Sequence, residues 1–216
     1  NTMDANIGGD LTVESRQDTS YIRGESAQGS VSVGAGSFSL SLSGSKTEGD
    51  SAWVYDQSGL LASEAANIYV EDHTSLVGGV INSASGDLTL DTGTFSYQDI
   101  QDYDHFEPMS LGFGAGVPQG QTQGPTQTAS AQTLIPGVNM NNLTAGYQNR
   151  EREQITRATV GQGTVTVRGD QGVGGNSLAG LNRDMSKAQE ITKNEEDDYN
   201  LYVSDTSLQG LGVLDR

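Results

Sequence analysis

Cysteine is absent from this 216-residue sequence, and proline occurs only four times. The lack of thiols excludes a disulfide scaffold, a thiolate metal site and a cysteine nucleophile, and it is compatible with export of an unfolded chain. Aromatic residues make up 6% of the chain and hydrophobic residues 33%, below the usual share for a globular domain. We therefore expect no thick, round core. The 29 glycines favour many short strands joined by tight turns.

Positive charge is also scarce. Residues 47–148 contain neither Lys nor Arg, and the net charge of the chain is −17. This charge repels phosphate backbones and anionic lipid headgroups at long range, so we expect no nucleic-acid partner. No stretch approaches the roughly 18 consecutive apolar residues of a membrane-spanning helix, and the start Asn1-Thr2-Met3-Asp4 lacks the features of a signal peptide. We expect an internal segment of a longer protein.

A loose internal repeat runs through the first half of the chain. The phrase Gly8–Ser15 matches Ser85–Thr92, and Ala66–Asp72 is a third version of it. Aligning Ile68 with Leu88 gives a repeat of 88 − 68 = 20 residues, close to the 20 to 25 residues of about one solenoid coil. The sequence therefore predicts an all-β fold in which residues 1–107 form a parallel β-solenoid. Its predicted interior includes Leu11, Val13, Ile68, Val70, Leu76, Leu88 and Leu90.

Strict alternation over Ser30–Ser43 interrupts this repeat on both sides of Gly34-Ala35-Gly36. Such a pattern predicts a β-hairpin excursion. Its apolar face must lie against the flank of the solenoid or against another chain, and we expect the solenoid. The apolar positions are Val31, Val33, Phe38, Leu40 and Leu42.

The second half changes in composition. Residues 108–150 are rich in Gly, Gln and Thr and predict a linker, because they offer little apolar surface to offset the entropy of ordering. Residues 151–216 contain a strand, Gly163–Arg168, and a helical spacing of apolar residues that predicts a helix over Ser177–Thr192. We expect this strand and helix to form a cap, with Glu195–Asp198 as a solvated stop.

Several of these phrases carry a family likeness. The series Asp56–Ala62, Ile68–Val70, Leu76–Ser83 and Leu90–Ile100 resembles, in order and spacing, the distal haemagglutinin repeats of filamentous-haemagglutinin-like two-partner-secretion exoproteins and contact-dependent growth inhibition effectors. The pieces Arg157–Arg168 and Leu181–Asp184 are similar to the stretch that precedes the toxin in such proteins. The chain departs from the family at the Val-Glu-Asn-Asn motif, whose nearest counterpart is Lys193-Asn194-Glu195-Glu196.

The resemblance implies a right-handed parallel β-helix and a secreted protein at the cell surface of a Gram-negative bacterium. It implies export through an outer-membrane transporter partner, and delivery of a downstream toxin domain to the receptor or envelope of a neighbouring cell. In this interpretation the segment is not an enzyme and has no catalytic, cofactor or metal residues.

The densest group of ionisable residues surrounds His105. Asp99, Asp102, Asp104 and Glu107 could together bind calcium through carboxylate oxygens, or two of them could act as the paired acids of a polysaccharide hydrolase. We favour a solvated exit from the last coil, because no calcium-binding loop or basic residue accompanies them. The second histidine, His73, is expected in a turn.

Two alternative functions follow from other features of the sequence. A carbohydrate- or receptor-binding adhesin would place Trp53, Tyr55, Tyr69 and Tyr97 in a row on one outer face. A β-helical polysaccharide lyase or hydrolase would require basic groups beside its carboxylates, and residues 47–148 have none.

Overall fold

A computed structural model describes residues 1–34, 37–117, 139–171 and 174–204. The described residues contain β-strands, two short 3-10 turns at Arg168–Asp170 and Met185–Lys187, and no α-helix. The predicted all-β class is confirmed. The strands are β1 Met3–Ile7, β2 Leu11–Glu14, β3 Asp18–Gly34, β4 Ser37–Trp53, β5 Gly59–Ala62, β6 Ala66–Val77, β7 Val80–Ser83, β8 Leu88–Gln98, β9 Ile100–Val117, β10 Asn139–Thr156, β11 Thr159–Val160, β12 Thr164–Val167 and β13 Gln189–Ser204.

The chain divides into two compact units that alternate along the sequence instead of following one another. The first unit contains Asn1–Ser20, Ser51–Asp104 and Glu151–Asn194. The second contains Tyr21–Asp50, His105–Arg150 and Glu195–Arg216.

Short strands of the first unit pair in parallel in two sheets. One sheet has the order β1-β6-β8-β12 with β2 also on β6, and the other has the order β11-β7-β5. Along the chain, β5 is followed by β6, β7 by β8 and β11 by β12. Each of these three coils of the chain therefore contributes one strand to each of the two sheets. The fold also contains antiparallel pairing, so it mixes both kinds.

The core of the first unit consists of the inward-facing alternate residues of these strands. Six of the predicted interior residues are buried, and Leu11 is partly buried against them. Thr74 and Thr92 lie among these residues without solvent exposure, and the Thr74 hydroxyl donates to Thr92 Oγ1 at 2.8 Å. The pairing of these hydroxyls removes much of the cost of burying them. The six buried residues are Val13, Ile68, Val70, Leu76, Leu88 and Leu90.

The predicted 20-residue register was wrong by two residues. Ile68 pairs with Leu90, and Leu88 pairs with Ala66, so the repeat is 90 − 68 = 22 residues. Because strand side chains alternate with a period of two, a slip of two residues leaves the same side chains facing inward, which is why the interior was still identified. Val13 pairs with Leu76, in the second half of β6, not with Val70.

A β-bulge interrupts the pairing of β6 with β8. Val70 pairs with Thr92 and His73 with Thr94, so Glu71 and Asp72 together oppose Gly93. A bulge bends the strand, and glycine suits the position because its backbone approaches the bulged strand closely. His73, predicted in a turn, lies within β6 just after the bulge.

The predicted helix over Ser177–Thr192 was wrong. The described residues in this range form turns, one parallel bridge between Thr159 and Asn182, the second 3-10 turn, and the start of β13. Gly180 has φ +81°, a left-handed conformation that ends a right-handed helix. Leu181 nevertheless joins the core and Leu178 packs against it, so the segment completes the first unit without a helix.

Every described residue of the second unit belongs to one sheet of long strands in the order β13-β10-β9-β4-β3. The predicted hairpin is confirmed as β3 and β4 and is much longer than Ser30–Ser43, while residues 35–36 lie outside the described residues. The predicted linker differs from the structure at both ends, because β9 reaches Val117 and β10 begins at Asn139; residues 118–138 lie outside the described residues. Glu195–Asp198 continues β13 and is no stop.

Candidate functional site

Asp102 is the most buried member of the acidic cluster, with 2% exposure. Gln17 Nε2 at 2.9 Å and the backbone N–H of Val54 at 3.3 Å donate to Oδ1. Gln154 Nε2 at 2.9 Å and the Thr156 hydroxyl at 2.5 Å donate to Oδ2. The predicted solvated exit was therefore wrong for this residue, because four neutral donors from three segments of the first unit surround its carboxylate. Such an arrangement fixes backbone segments in place.

The other members of the cluster have separate partners. Asp99 accepts from the backbone N–H of Ala158 at 2.9 Å, and Asp104 accepts from Arg152 at 2.7 Å. His105 Nε2 lies 3.7 Å from a carboxylate oxygen of Glu107. Within the described ranges, no three His, Cys, Asp or Glu side chains are placed to hold a metal ion.

His73 bridges two hydroxyl groups on the neighbouring strand. Its Nδ1 lies 2.7 Å from Thr94 Oγ1, its Nε2 lies 2.8 Å from Ser96 Oγ, and its backbone N–H donates to Asp10 at 3.0 Å. None of the described contacts places a carboxylate against the His73 imidazole. The acidic residue that orients the histidine of a catalytic triad is therefore not found beside His73 among the described residues.

The four aromatic residues of the adhesin hypothesis do not share one exposed face. Trp53 is buried, and the Arg152 guanidinium lies 5.1 Å from its ring centroid. Tyr69 is partly exposed beneath the Arg168 guanidinium, at 4.8 Å, and the hydrogen bond from its hydroxyl to Glu71 raises the pKa of the phenol. Tyr97 donates its hydroxyl to the carbonyl of Ala179 at 2.5 Å. A row of four sugar-stacking rings is therefore not formed.

Arg183, within the family-like segment Leu181–Asp184, connects three backbone carbonyl groups through its guanidinium. Its guanidinium donates to the carbonyl oxygens of Val160, Gly161 and Gly163 at distances of 2.6 to 3.0 Å. Burial lowers the pKa of this guanidinium. The phrase therefore ties a turn segment to β11 and the start of β12.

The sheet of the second unit has two chemically different faces. Ser26 Oγ lies 2.8 Å from Ser45 Oγ, and Ser30 Oγ lies 2.6 Å from Ser41 Oγ. Tyr147 stacks on Tyr199 with ring centroids 6.3 Å apart. These contacts indicate an antiparallel register in which serine, threonine and asparagine side chains and glycine positions share one face, and by strand alternation the apolar side chains share the other. We call the second surface the apolar face. It consists of Val31, Val33, Phe38, Leu40, Leu42, Met109, Leu111, Phe113, Leu143, Tyr147, Tyr199 and Leu201.

Seven of these twelve residues on the apolar face are exposed, and the other five are half-buried. Val33 is 80% exposed, Leu111 57% and Tyr199 64%. The expectation that the hairpin's apolar residues pack on a solenoid flank is wrong for Val31, Val33 and Leu42, which are all exposed. Sequence reasoning found the hairpin part of this face and missed the rest, because Leu111, Phe113 and Tyr147 stand among glycines and polar residues that indicated a linker.

The comparisons with known proteins point to one group. No family model matches the chain, and no solved structure gives a significant match. The chain is 33% identical over 204 residues to a tRNA nuclease CdiA of Escherichia coli NC101, covering 88% of this chain. It is 32% identical over 195 residues to a deoxyribonuclease CdiA of Dickeya dadantii, covering 85% of this chain. It is 36% identical over 174 residues to a 16S rRNA endonuclease CdiA of Enterobacter cloacae, covering 76% of this chain.

These alignments concern a small part of each relative. The chain spans 6% of the Escherichia coli protein, 6% of the Dickeya protein and 5% of the Enterobacter protein. The likeness confirms the resemblance seen in the sequence, and the chain is a CdiA-like segment of the contact-dependent growth inhibition toxin family.

Proposed function

We propose that this chain is a non-enzymatic structural and delivery segment of a secreted exoprotein, which presents or delivers a C-terminal toxin to neighbouring cells. One observation carries the proposal. Relatives named for three different activities, on tRNA, on DNA and on 16S rRNA, all align with most of this chain. A segment common to proteins with different nuclease names is best explained as the shared carrier, with the activity residing elsewhere in each protein.

The chemistry of the described residues supports a carrier. Asp102, the buried carboxylate, is occupied by four protein donors, and Asp104 is paired with Arg152. Neither is left as a general acid or base facing a cleft. The net charge of −17 is unfavourable for holding a nucleic-acid substrate, which supports the absence of a nucleic-acid partner.

The parallel coils support a right-handed β-helix as the carrier architecture. Right-handed crossovers dominate parallel strand connections in general, and a stack of coils forms a stiff rod in which each coil covers its neighbour. A rod of this kind would hold a toxin away from the producing cell, at the surface of a Gram-negative bacterium.

Export fits the composition. A chain without cysteine forms no disulfide bonds while it crosses an oxidising periplasm. No disulfide-closed loop would then hinder its passage through an outer-membrane transporter partner. None of the described residues belongs to a helix with the length and hydropathy required to cross a membrane. The receptor or envelope of the neighbouring cell and a downstream toxin domain complete the proposed set of partners.

Two assays test the proposal. The purified chain, incubated with tRNA, plasmid DNA and ribosomes, should cleave none of them. An exoprotein from which this segment is deleted should lose growth inhibition, while its isolated toxin domain keeps nuclease activity; an exoprotein carrying only Thr89→Ala, at an exposed position, serves as the control. Cleavage by the purified chain, or full growth inhibition after the deletion, would refute a delivery role.

A further inference from the structure

We infer that the apolar face of the second unit, together with the carboxylates beside it, binds a basic amphipathic polypeptide segment. The inference goes beyond the delivery role and does not depend on it. A sheet that is apolar on one face normally buries that face against another layer. The described residues of the second unit all belong to the sheet itself, so none of them forms such a layer. Val33, Leu111 and Tyr199 are accordingly exposed.

Carboxylates adjoin one end of the apolar face. Side chains two residues apart on a strand lie on the same side of a sheet, about 6.8 Å from each other. Glu107 is therefore the neighbour of Met109 on that side of β9, and Asp197 is the neighbour of Tyr199 on that side of β13. Both acidic residues reach solvent. A partner that covers Met109 and Tyr199 consequently meets carboxylates directly beside them.

The two sides of this sheet differ in charge as well as in polarity. Among the described residues of the second unit, the side of the apolar face has two basic and six acidic residues, 2 − 6 = −4. The opposite side has one basic and two acidic residues, 1 − 2 = −1. His105 adds a positive charge to the first side only when it is protonated. The first group is Arg23, Lys46, Glu25, Glu48, Asp50, Glu107, Glu195 and Asp197, and the second is Arg150, Glu196 and Asp198.

This excess of negative charge selects a basic partner. A second copy would bring the same acidic side and a net charge of −17, and nucleic acid and anionic lipid headgroups are repelled as well. A neutral apolar partner would cover the apolar residues but would desolvate the neighbouring carboxylates without neutralising them. A segment with Lys or Arg beside apolar residues removes apolar surface from water and also pairs these carboxylates.

Two shallow depressions in the face have room for apolar side chains of the partner. One, of about 480 Å³, lies around Ala145 and is bordered by Met109, Leu111 and Tyr199. The other, of about 500 Å³, lies around Gly44 and is bordered by the same Met109 and Leu111. Small residues between larger ones leave hollows of the kind in which interface anchors are seated. The depressions therefore give the apolar side of the segment defined places to pack.

Fluorescence anisotropy of labelled peptides with the complete chain provides the test. The probe is a synthetic peptide of about 16 residues, with leucines on one side of a helix and lysines on the other. We expect a dissociation constant of about 1 to 20 μM at low salt, which should rise as added salt screens the charges. A peptide of the same composition in scrambled order should bind at least about tenfold more weakly. A peptide with glutamate in place of each lysine should not bind.

Matched variants at adjacent residues locate the contact. Asp197→Asn removes a charge beside the apolar face and should weaken binding of the lysine peptide by about threefold at low salt. Glu196→Gln removes a charge from the opposite side and should leave binding unchanged. Leu42→Ser removes apolar contact and should weaken binding by about fivefold, while Ser43→Ala, on the opposite side, should not. All four positions are exposed, so circular dichroism and thermal unfolding should match those of the unmodified chain.

Four outcomes would overturn the inference. The first is no binding of the lysine peptide at chain concentrations up to about 200 μM. Equal affinity for the ordered and scrambled lysine peptides would reduce the binding to diffuse charge. Equal effects of the two variants in either matched pair would place the contact elsewhere on the chain. A dimer in sedimentation equilibrium that the lysine peptide does not dissociate would assign the face to a second copy.

Discussion

The hydroxyl of Thr156 donates to the buried carboxylate of Asp102 at 2.5 Å, across 54 positions of the sequence. Gln154, two residues earlier on β10, donates to the same oxygen. Gln17 and the backbone of Val54 occupy the other oxygen. One carboxylate thus joins β9 and β10 to the segments that flank β3 and β4 in the first unit, and it does so only as an acceptor.

We therefore expect Asp102→Asn to destabilise the protein although the side chain keeps its shape. Each carboxylate oxygen of Asp102 now accepts from two donors. In either orientation, the NH2 group of asparagine would replace one of these oxygens and face two donors, so buried donors would be left without an acceptor. The expected loss is about 2 to 4 kcal/mol of unfolding free energy, from a hydrogen-bonded charge and an unsatisfied donor. Urea denaturation measures it. Asp72→Asn, at an exposed position, is the control, and equal effects of the two changes would contradict the structural role.

The interior of the coils predicts a second difference. Leu88 is 2% exposed and faces the core, while its neighbour Thr89 faces solvent. Leu88→Ala should cost about 2 to 5 kcal/mol, because it removes buried methyl groups and leaves a cavity. Thr89→Ala should cost less than about 0.5 kcal/mol. Similar losses in chemical denaturation for both would show that β8 does not have the inward and outward alternation described.

The bulge predicts a third difference, between two glycines. A Cβ on Gly93 would lie 2.3 Å from the carbonyl oxygen of Asp72 and 2.6 Å from that of Glu71. Both are backbone atoms that cannot rotate away, so Gly93→Ala should shift the coil and cost roughly 1 to 3 kcal/mol. A Cβ on Gly8 would meet nothing within 4 Å. Gly8→Ala should be neutral within error by thermal unfolding, and a neutral Gly93→Ala would contradict the bulge.

These examples show what alternation in the sequence can determine. The inward positions of β6 and β8 were predictable, because a period of two survives an error of two residues in register. The register itself was not, since it depends on the bulge that sets Glu71 and Asp72 against Gly93. Burial of Asp102 was also hidden, because its donors come from residues 17, 54, 154 and 156 and only the tertiary fold brings them together.

The false helix has a different cause. Leu178, Leu181 and Ala188 have helical spacing, but Gly180 adopts φ +81° and each apolar side chain reaches its packing site from a turn or an extended segment. The sheet of the second unit was missed for a related reason. In its strands, glycine, serine and asparagine alternate with single apolar residues. Linkers have a similar composition, so composition alone does not distinguish these strands from a linker.

The turn that replaces the helix leads to a prediction about pH. Asp184 accepts hydrogen bonds from the backbone N–H of Ser186 at 2.9 Å and from its hydroxyl at 2.7 Å. The hydroxyl hydrogen bond, followed by the backbone one, lowers the pKa of the Asp184 carboxyl below its ordinary value, because both stabilise the charged form. The stabilisation is therefore present above the unfolded-state pKa and is lost as the pH falls through the lower folded-state pKa.

Ser186→Ala removes the hydroxyl donor and keeps the backbone donor, so the Asp184 pKa should rise part of the way toward its ordinary value. Carboxyl carbon chemical shifts followed by NMR through the acidic range measure that pKa directly. Ser43→Ala, a change of the same size on β4 far from Asp184 in sequence, should leave the titration where it is. If the midpoint for Asp184 is the same in all three proteins, the hydroxyl does not hold the charged carboxylate. The turn at Met185–Lys187 would then depend on its backbone hydrogen bonds alone.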